Sequence, residues 1–385
     1  MTDFSEPAEY PELRAAVRQI TQSHGPAEYT RHARTSTPMA ALWRDLGKAG
    51  FIGINVPEEF GGGGAGMSEL ALVAEESAAA GCPLLTLLVS SAIGVEILRR
   101  HGTPEQQREW LPKLADGGTK IVFAITEPDA GSNSHRLATT ARRDGAEYVI
   151  SGQKYYISGV DEAAAIITVT RTGTDPVTGK GQLSLFVVPI DAPGLSYHQL
   201  EVAAQIPDRQ YTVFFDDVRV PDTALIGVEG QGFRPLFDGL NPERISAAAI
   251  GVGIGRYALA TASRYVRDRQ VWGKPLGTHQ AVAHPLAKAA VDIELAGLMT
   301  AKAAWLYDQG QPAGEVANMA KYAAATASVA AVDAAIQVHG GNGLSVEYGL
   351  VPLWGMARLL SIAPVNNEMV LNYIAQHVLD LPRSY

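Results

Sequence analysis

The sequence predicts a multidomain α+β protein: an N-terminal α-helical domain (residues 1–120), a middle antiparallel β domain (121–231) and a C-terminal four-helix bundle (232–385). Three observations carry this. Apolar residues recur three and four apart through the first third of the chain. Near residue 121 the texture changes to short β-branched and aromatic runs between turn clusters. Long, alanine-rich helical patterns then fill the chain from about residue 232.

In the first domain, PELRAAVRQI, MAALWRDLGKAGF, MSELALVAEESAAAG and PLLTLLVSSAIGVEILRRHG each space their apolar residues for one helix face, with Gly or Pro between them. PEEFGGGGAG (57–66) is a flexible turn, and without a following Gly-Lys-Ser/Thr it is no P-loop. IVFAITEP, YVISGQKYYIS, AAIITVTR, LSLFVVPI and YTVFFDDVRV read as strands, parted by clusters such as TGTDPVTGKG and DAPG. NPERISAAAIGVGIGRYALATASRYVRDRQ is one long helix whose start is expected near Pro242. PLAKAAVDIELAGLMTAKAAWLYDQG, PAGEVANMAKYAAATASVAAVDAAIQVHGG and NEMVLNYIAQHVLDL complete the four. The breadth of their apolar surface implies burial against another subunit.

Composition narrows the function. The chain has 385 residues, 46% hydrophobic and 18% charged, which suits a folded enzyme rather than a disordered segment. Its net charge of −9 argues against a nucleic-acid binder. A single cysteine, Cys82, admits no internal disulfide and reads as a buried packing thiol. No Cys/His grouping suggests a metal site. The N-terminus is acidic and lacks the apolar core of a signal peptide. The longest apolar stretch, 245–262, carries Arg256 and looks too short and too polar to span a bilayer. The expectation is a cytoplasmic protein with no membrane partner.

Gly253, Gly255 and Ala258 form G-x-G-x-x-A, the outline of a dinucleotide fingerprint. That fingerprint needs a strand before it and a helix opening at it, whereas these glycines lie inside a helical run; close helix–helix contact is the better reading. AITEPDAGSN (124–133) leaves a strand for a turn whose backbone N–H groups and small hydroxyls suit a flat polar heterocycle. SGQKYYIS (151–158) adds aromatic rings able to stack on it. RQVWGKPLGTHQ (269–280) sets an Arg and a Gln around a glycine turn, an arrangement able to hold a pyrophosphate, though an Arg there also complements a helix dipole. QVHGGNG (337–343) ends a helix on a glycine pair.

Together these four stretches, in order along the chain, resemble the acyl-CoA dehydrogenase family of flavoproteins. TEPDAGSN resembles its T-E-P-x-A-G-S-D, SGQKYYIS its N-G-x-K-x-W-I-T, RQVWGKPLGTHQ its R-x-x-F-G-x-x-x-x-x-x-Q, and QVHGGNG its Q-x-x-G-G-x-G. The resemblance covers nearly the whole chain and implies FAD as cofactor. It implies that Phe123, Ile125, Thr126, Gly131 and Ser132 wrap the flavin, with Tyr156 in the place of the usual Trp, Ile157 beside it and Ser158 in the place of the usual Thr. It further implies that Arg269 and Gln280 bind the FAD of a neighbouring subunit, that Gln337, Gly340 and Gly341 lie on its adenosine side, and that Asn366 and Glu368 lie near it. The implied assembly is a homotetramer or a dimer.

The implied reaction is α,β-dehydrogenation of an acyl-CoA in fatty acid metabolism, with electrons passed to an electron-transfer flavoprotein. A carboxylate removes the α-proton while the β-hydrogen leaves as hydride for the flavin. Many members carry that Glu in a stretch like Y-E-G-T, which aligns with Ala363-Pro364-Val365-Asn366. Pro364 cannot act as a base. In a minority of members the Glu stands on the first long bundle helix, which corresponds to Glu243 in NPERIS. Pro242 reads as the first residue of that helix, so Glu243 is expected in its first turn, facing the middle domain. The helix dipole there would depress its pKa. Ser132, Asn241 and Arg244 are the expected substrate contacts, Arg244 either on the CoA moiety or as a structural partner. The alternatives are an acyl-CoA oxidase, a biosynthetic dehydrogenase acting on a carrier-protein thioester, and an FAD-binding protein without catalysis.

Overall fold

The computed structural model describes residues 6–383. The helical part comprises α1 (Tyr10–Thr35), α2 (Ala40–Lys48), α3 (Met67–Ala79), a π-helical segment (Leu87–Gly94) running into α4 (Val95–His101), and α5 (Pro104–Ala115). Helix α1 runs well past the expected segment because it kinks rather than ends at Gly25, whose φ is 75°. Helix α5 is absent from the pattern reading, yet its start is written locally. Pro104 stands at the first position, and Thr103 and Gln106 cap each other at 3.2 and 3.0 Å. The glycine run packs on the backbone of residues 53–57, with Gly63 N–H on Gly53 O at 3.1 Å and Gly64 N–H on Val56 O at 2.8 Å. It is a folded turn.

Strands β1 (Ile121–Ala124), β2 (Thr140–Asp144), β3 (Glu147–Ser158), β4 (Ala165–Thr174), β5 (Gly181–Pro189), β6 (Leu195–Leu200), β7 (Gln210–Pro221) and β8 (Leu225–Ile226) form one eight-stranded sheet. The order is β6-β7-β3-β2-β4-β5-β8, with β1 beside β4. The sheet is not wholly antiparallel, which corrects the expectation. Strand β1 runs parallel to β4 from Ile121↔Ala165, and β2 meets β4 in parallel at Thr140↔Arg171. The β2–β3 hairpin lies between β1 and β4 in sequence, and so long a connection permits a parallel neighbour. Strand β6 (LSYHQL) escaped the pattern because it is an exposed edge strand without alternation.

The C-terminal part comprises α6 (Phe233–Asp268), α7 (Gln280–Asp308), α8 (Gly314–His339), α9 (Leu350–Leu360) and α10 (Asn367–His377). Two expectations are corrected. Helix α6 starts at Phe233, so Pro242 lies inside it and Glu243 is in its third turn, away from the helix terminus. Pro242 has no N–H to give the carbonyl of Asp238, and the Tyr307 hydroxyl approaches that oxygen at 3.5 Å. A further helix, α9, precedes the last expected one.

Gly253 and Gly255 serve helix contact. A Cβ on Gly253 would collide with the Glu75 carbonyl oxygen and Ala78 Cβ on α3, and one on Gly255 with Ile293 Cδ1 on α7. Backbone cannot yield, whereas an isoleucine tip can rotate. Gly253→Ala is therefore expected to cost about 1–3 kcal/mol by overpacking, and Gly255→Ala distinctly less. Thermal melting of the two variants side by side checks this; equal midpoints would contradict it.

Helix α6 also corrects the membrane reading: it is long and apolar enough to cross a bilayer by composition, but 72% of its most apolar window is buried inside the protein. Cys82 is buried, and burial pushes its thiol pKa up to about 12.

Candidate active site

A cavity of about 820 Å³ opens where the helical, sheet and bundle parts meet. One wall is apolar: Leu85, Leu88, Val89 and Ile93 from the π-helical region, with Leu236 and Leu240 from α6. The sheet side supplies Phe123, Ile125, Thr126, Gly131 and Ser132 from β1 and the loop after it, and Tyr156, Ile157 and Ser158 from the end of β3. Asn241, Glu243 and Arg244 come from α6, and residues 362–366, with Asn366 at the end, close the far side before α10.

Local structure explains the sheet wall. The β3–β7 register slips between Lys154 and Ile157, and Tyr156 adopts φ 58°, an unusual conformation for a side-chain-bearing residue. The bulge leaves its ring 54% exposed on the cavity. Ser158 Oγ donates to Gln210 Oε1 at 3.0 Å.

Beneath this wall lies an ion pair that the motif reading did not single out. Lys154, fully buried, donates to Ile125 O at 3.0 Å and Glu127 Oε1 at 2.9 Å. The Glu127 carboxylate also accepts the backbone N–H groups of Ala138 and Thr139, and Tyr155 N–H donates to Thr126 O at 2.8 Å. These donors hold Glu127 below the usual carboxylate range against its burial, while burial lowers Lys154 to about 8. The pair closes residues 125–139 into a fixed lip. Its signal was present in the sequence: a lysine inside an apolar strand needs a buried partner.

Glu243 is 8% exposed, and its Oε2 has no hydrogen-bond partner among the described residues. Burial raises its pKa to about 8, against the opposing pull of Arg244 and Lys321. The expected depression by a helix terminus does not arise, since the residue is not at one. Arg244, also buried, donates to Asn241 Oδ1 at 3.1 Å. Asn366 Nδ2 donates to Ser132 Oγ at 2.8 Å, joining the bundle to the sheet loop.

Six expected residues lie elsewhere. Glu368 is exposed on α10 and is not on the cavity wall. Arg269, Gln280, Gln337, Gly340 and Gly341 are exposed at one end of the bundle, where α6 ends, α7 begins and α8 ends. Tyr265 knits that end together, its ring stacked on His339 at 4.1 Å. No group of His, Cys, Asp and Glu among the described residues is placed to hold a metal ion.

The sequence patterns of three acyl-CoA dehydrogenase domains match consecutive stretches: N-terminal on residues 7–118, middle on 122–218 and C-terminal on 230–379. The chain belongs to the acyl-CoA dehydrogenase family. An acyl-CoA dehydrogenase of Mycobacterium tuberculosis, FadE12, is 54% identical over 100% of this chain and 99% of its own length. The glutaryl-coenzyme A dehydrogenase–glutaryl-CoA complex superposes with a TM-score of 0.93 at 29% identity, covering 100% of this chain and 98% of the other. The FAD complex of PigA superposes at 0.92 with 25% identity, covering 98% and 99%. As an acyl-CoA dehydrogenase, the chain is an FAD-dependent oxidoreductase. The cavity fits the cofactor: the Thr126, Ser132 and Ser158 hydroxyls and the exposed face of Tyr156 share one wall, suited to a flat ring with a polar edge.

Proposed function

We propose that Glu243 is the base with which this acyl-CoA dehydrogenase takes the α-proton of its thioester substrate. The supporting observation is a carboxyl on the cavity wall whose pKa is raised by burial to about 8, close to the range in which a general base works best. Pro364 lines the same cavity and offers no proton acceptor. When bound, FAD takes up the hydrogen lost from Cβ. Thr126, Ser132, Tyr156 and Ser158 hold the flavin ring, and Phe123, Ile125, Gly131 and Ile157 complete its bed. The apolar wall at Leu85, Leu88, Val89, Leu236 and Leu240 takes the hydrocarbon tail and excludes water, which keeps the carboxyl basic. Asn241 and Arg244 line the route of the pantetheine, and Asn366 fixes the lip through Ser132.

The cluster of Arg269, Gln280, Gln337, Gly340 and Gly341 serves the FAD of a neighbouring subunit, with Glu368 near its surface. Val291, Leu295 and Leu298 form an exposed apolar stripe on α7 at helical spacing, which supports assembly as a homotetramer or dimer. The electron acceptor is an electron-transfer flavoprotein, and the compartment is the cytoplasm.

Anaerobic titration of the purified flavoprotein with straight and branched acyl-CoAs tests the reading: the flavin absorbance should bleach. Fast reoxidation by oxygen would make it an oxidase, and no bleaching by any thioester would sink the dehydrogenase reading. The base acts only when ionised, so the reduction rate should rise with pH and reach half its maximum near 8. A rate constant with pH from 6 to 9 would remove Glu243 from the role.

A further inference from the structure

Lys321 on α8 is 1% exposed, and Ala317, Ala320, Ala324 and Ala325 around it are buried. An ammonium on so apolar a face needs a specific reason. Its Nζ donates to the Val365 carbonyl and, at 3.0 Å, to Asn367 Oδ1. Val365 belongs to the segment that closes the cavity between α9 and α10, and Asn367 is the first residue of α10. Between them stands Asn366, whose Oδ1 caps α10 by accepting Met369 N–H at 2.8 Å and whose Nδ2 reaches Ser132 across the domain seam.

We infer that Lys321 is a positioning residue: it ties the wall segment 365–367 to α8 and presents a positive charge to the Glu243 carboxylate as that carboxylate forms. The inference rests on the proposed role of Glu243. Both acceptors are neutral oxygens; burial, with the repulsion of Arg244, lowers Lys321 to about 8, so its charge is fullest on the acid side of that pH, where the Glu243 carboxylate begins to form. The charged groups facing it are Arg244 and Glu243 from α6 and Glu368 from α10; those facing Glu243 are Arg244 and Lys321. Arg244 repels Lys321, and the ammonium keeps its place through its two hydrogen bonds and the pull of the two carboxyls. The same side chain therefore fixes the wall where Pro364 stands and offsets the cost of charging a buried base.

Lys321→Met is the test, with Lys321→Arg as the conservative partner. K321M should retain FAD, judged by flavin-to-protein absorbance. The acid limb of its flavin-reduction rate should move to higher pH by roughly one unit, the size of effect an adjacent opposite charge has on a carboxylate. Amide exchange across residues 362–369, measured without substrate, should speed up several-fold. K321R should restore the acid limb. An unshifted acid limb in K321M would overturn the inference, even with faster exchange, because a merely structural lysine predicts that result. Unchanged exchange would overturn the tether. Should K321M fail to accumulate, Lys321→Gln takes its place under the same readings, and Asn367→Ala should speed exchange without moving the acid limb. Wild-type protein that no acyl-CoA reduces would fail the dehydrogenase reading instead, while the exchange measurement would still judge the tether.

Discussion

Glu243→Gln is expected to keep its FAD and lose flavin reduction by acyl-CoA about 10²–10⁴-fold, the usual contribution of a positioned general base. Gln has the shape of the protonated carboxyl, so the cavity stays filled and the apolar wall is undisturbed. What it lacks is a lone pair basic enough to take a weakly acidic α-proton. Rapid-mixing absorbance of the flavin measures the loss, and a variant reduced at near wild-type rate would acquit Glu243. The remaining slow rate should no longer rise with pH through the region near 8. A stability signature accompanies the kinetic one. The folded-state pKa of Glu243 is raised, so its contribution is fully present below the ordinary carboxylate value of 4.5 and is lost as pH rises toward about 8. Gln does not titrate. The thermal midpoint of the variant relative to wild type should therefore increase from pH 5 to pH 8.

Lys154→Met is expected to yield protein that has largely lost FAD. Its ammonium holds Ile125 O and the Glu127 carboxylate, and so fixes the lip that carries Thr126, Gly131 and Ser132. Removing one partner leaves a buried carboxylate with only backbone N–H donors, a change that costs about 3–5 kcal/mol. The lip can relieve that cost by rearranging toward water, which disassembles the flavin bed. If most of the cost falls on the bound state, FAD affinity drops about a hundredfold or more. Fluorescence titration of apoprotein with FAD measures this, and affinity within twofold of wild type would refute it. The double variant Glu127→Gln with Lys154→Met removes both charges and should recover part of the affinity. Its non-additivity reports the coupling between the two side chains.

How far these residues were legible from the chain differs by type. The sheet-side residues of the cavity wall lie in two contiguous motifs, and each motif folds as one strand and its adjoining turn, so local sequence locates them together. Tyr156 was legible as an aromatic in a strand, but not as a bulge residue at φ 58°, since register against β7 decides that. Glu127 and Lys154 are 27 positions apart and meet only because the end of β3 passes under the loop after β1. Lys321 was legible only as an oddity, a lysine among alanines; its acceptors lie 44 and 46 positions downstream. Helix α5 shows the converse, a strong cap passed over in favour of apolar periodicity.

The proposed base shows the division most plainly. Sequence alone determined that Pro364 offers no carboxylate and that Glu243 is the candidate on the first bundle helix, because residue identity and motif order are properties of the chain itself. It also determined the helical–sheet–helical order, since periodicity of 3.6 or 2 is written locally. Only the tertiary structure decided that α6 begins at Phe233, which takes Glu243 out of the terminal turn, and that this carboxyl is buried on the cavity wall under the influence of Arg244 and Lys321. The physical reason is that a pKa depends on which dielectric and which charges surround a group in space. Those neighbours come from segments far apart in sequence, and their meeting is fixed by packing rather than by any local pattern.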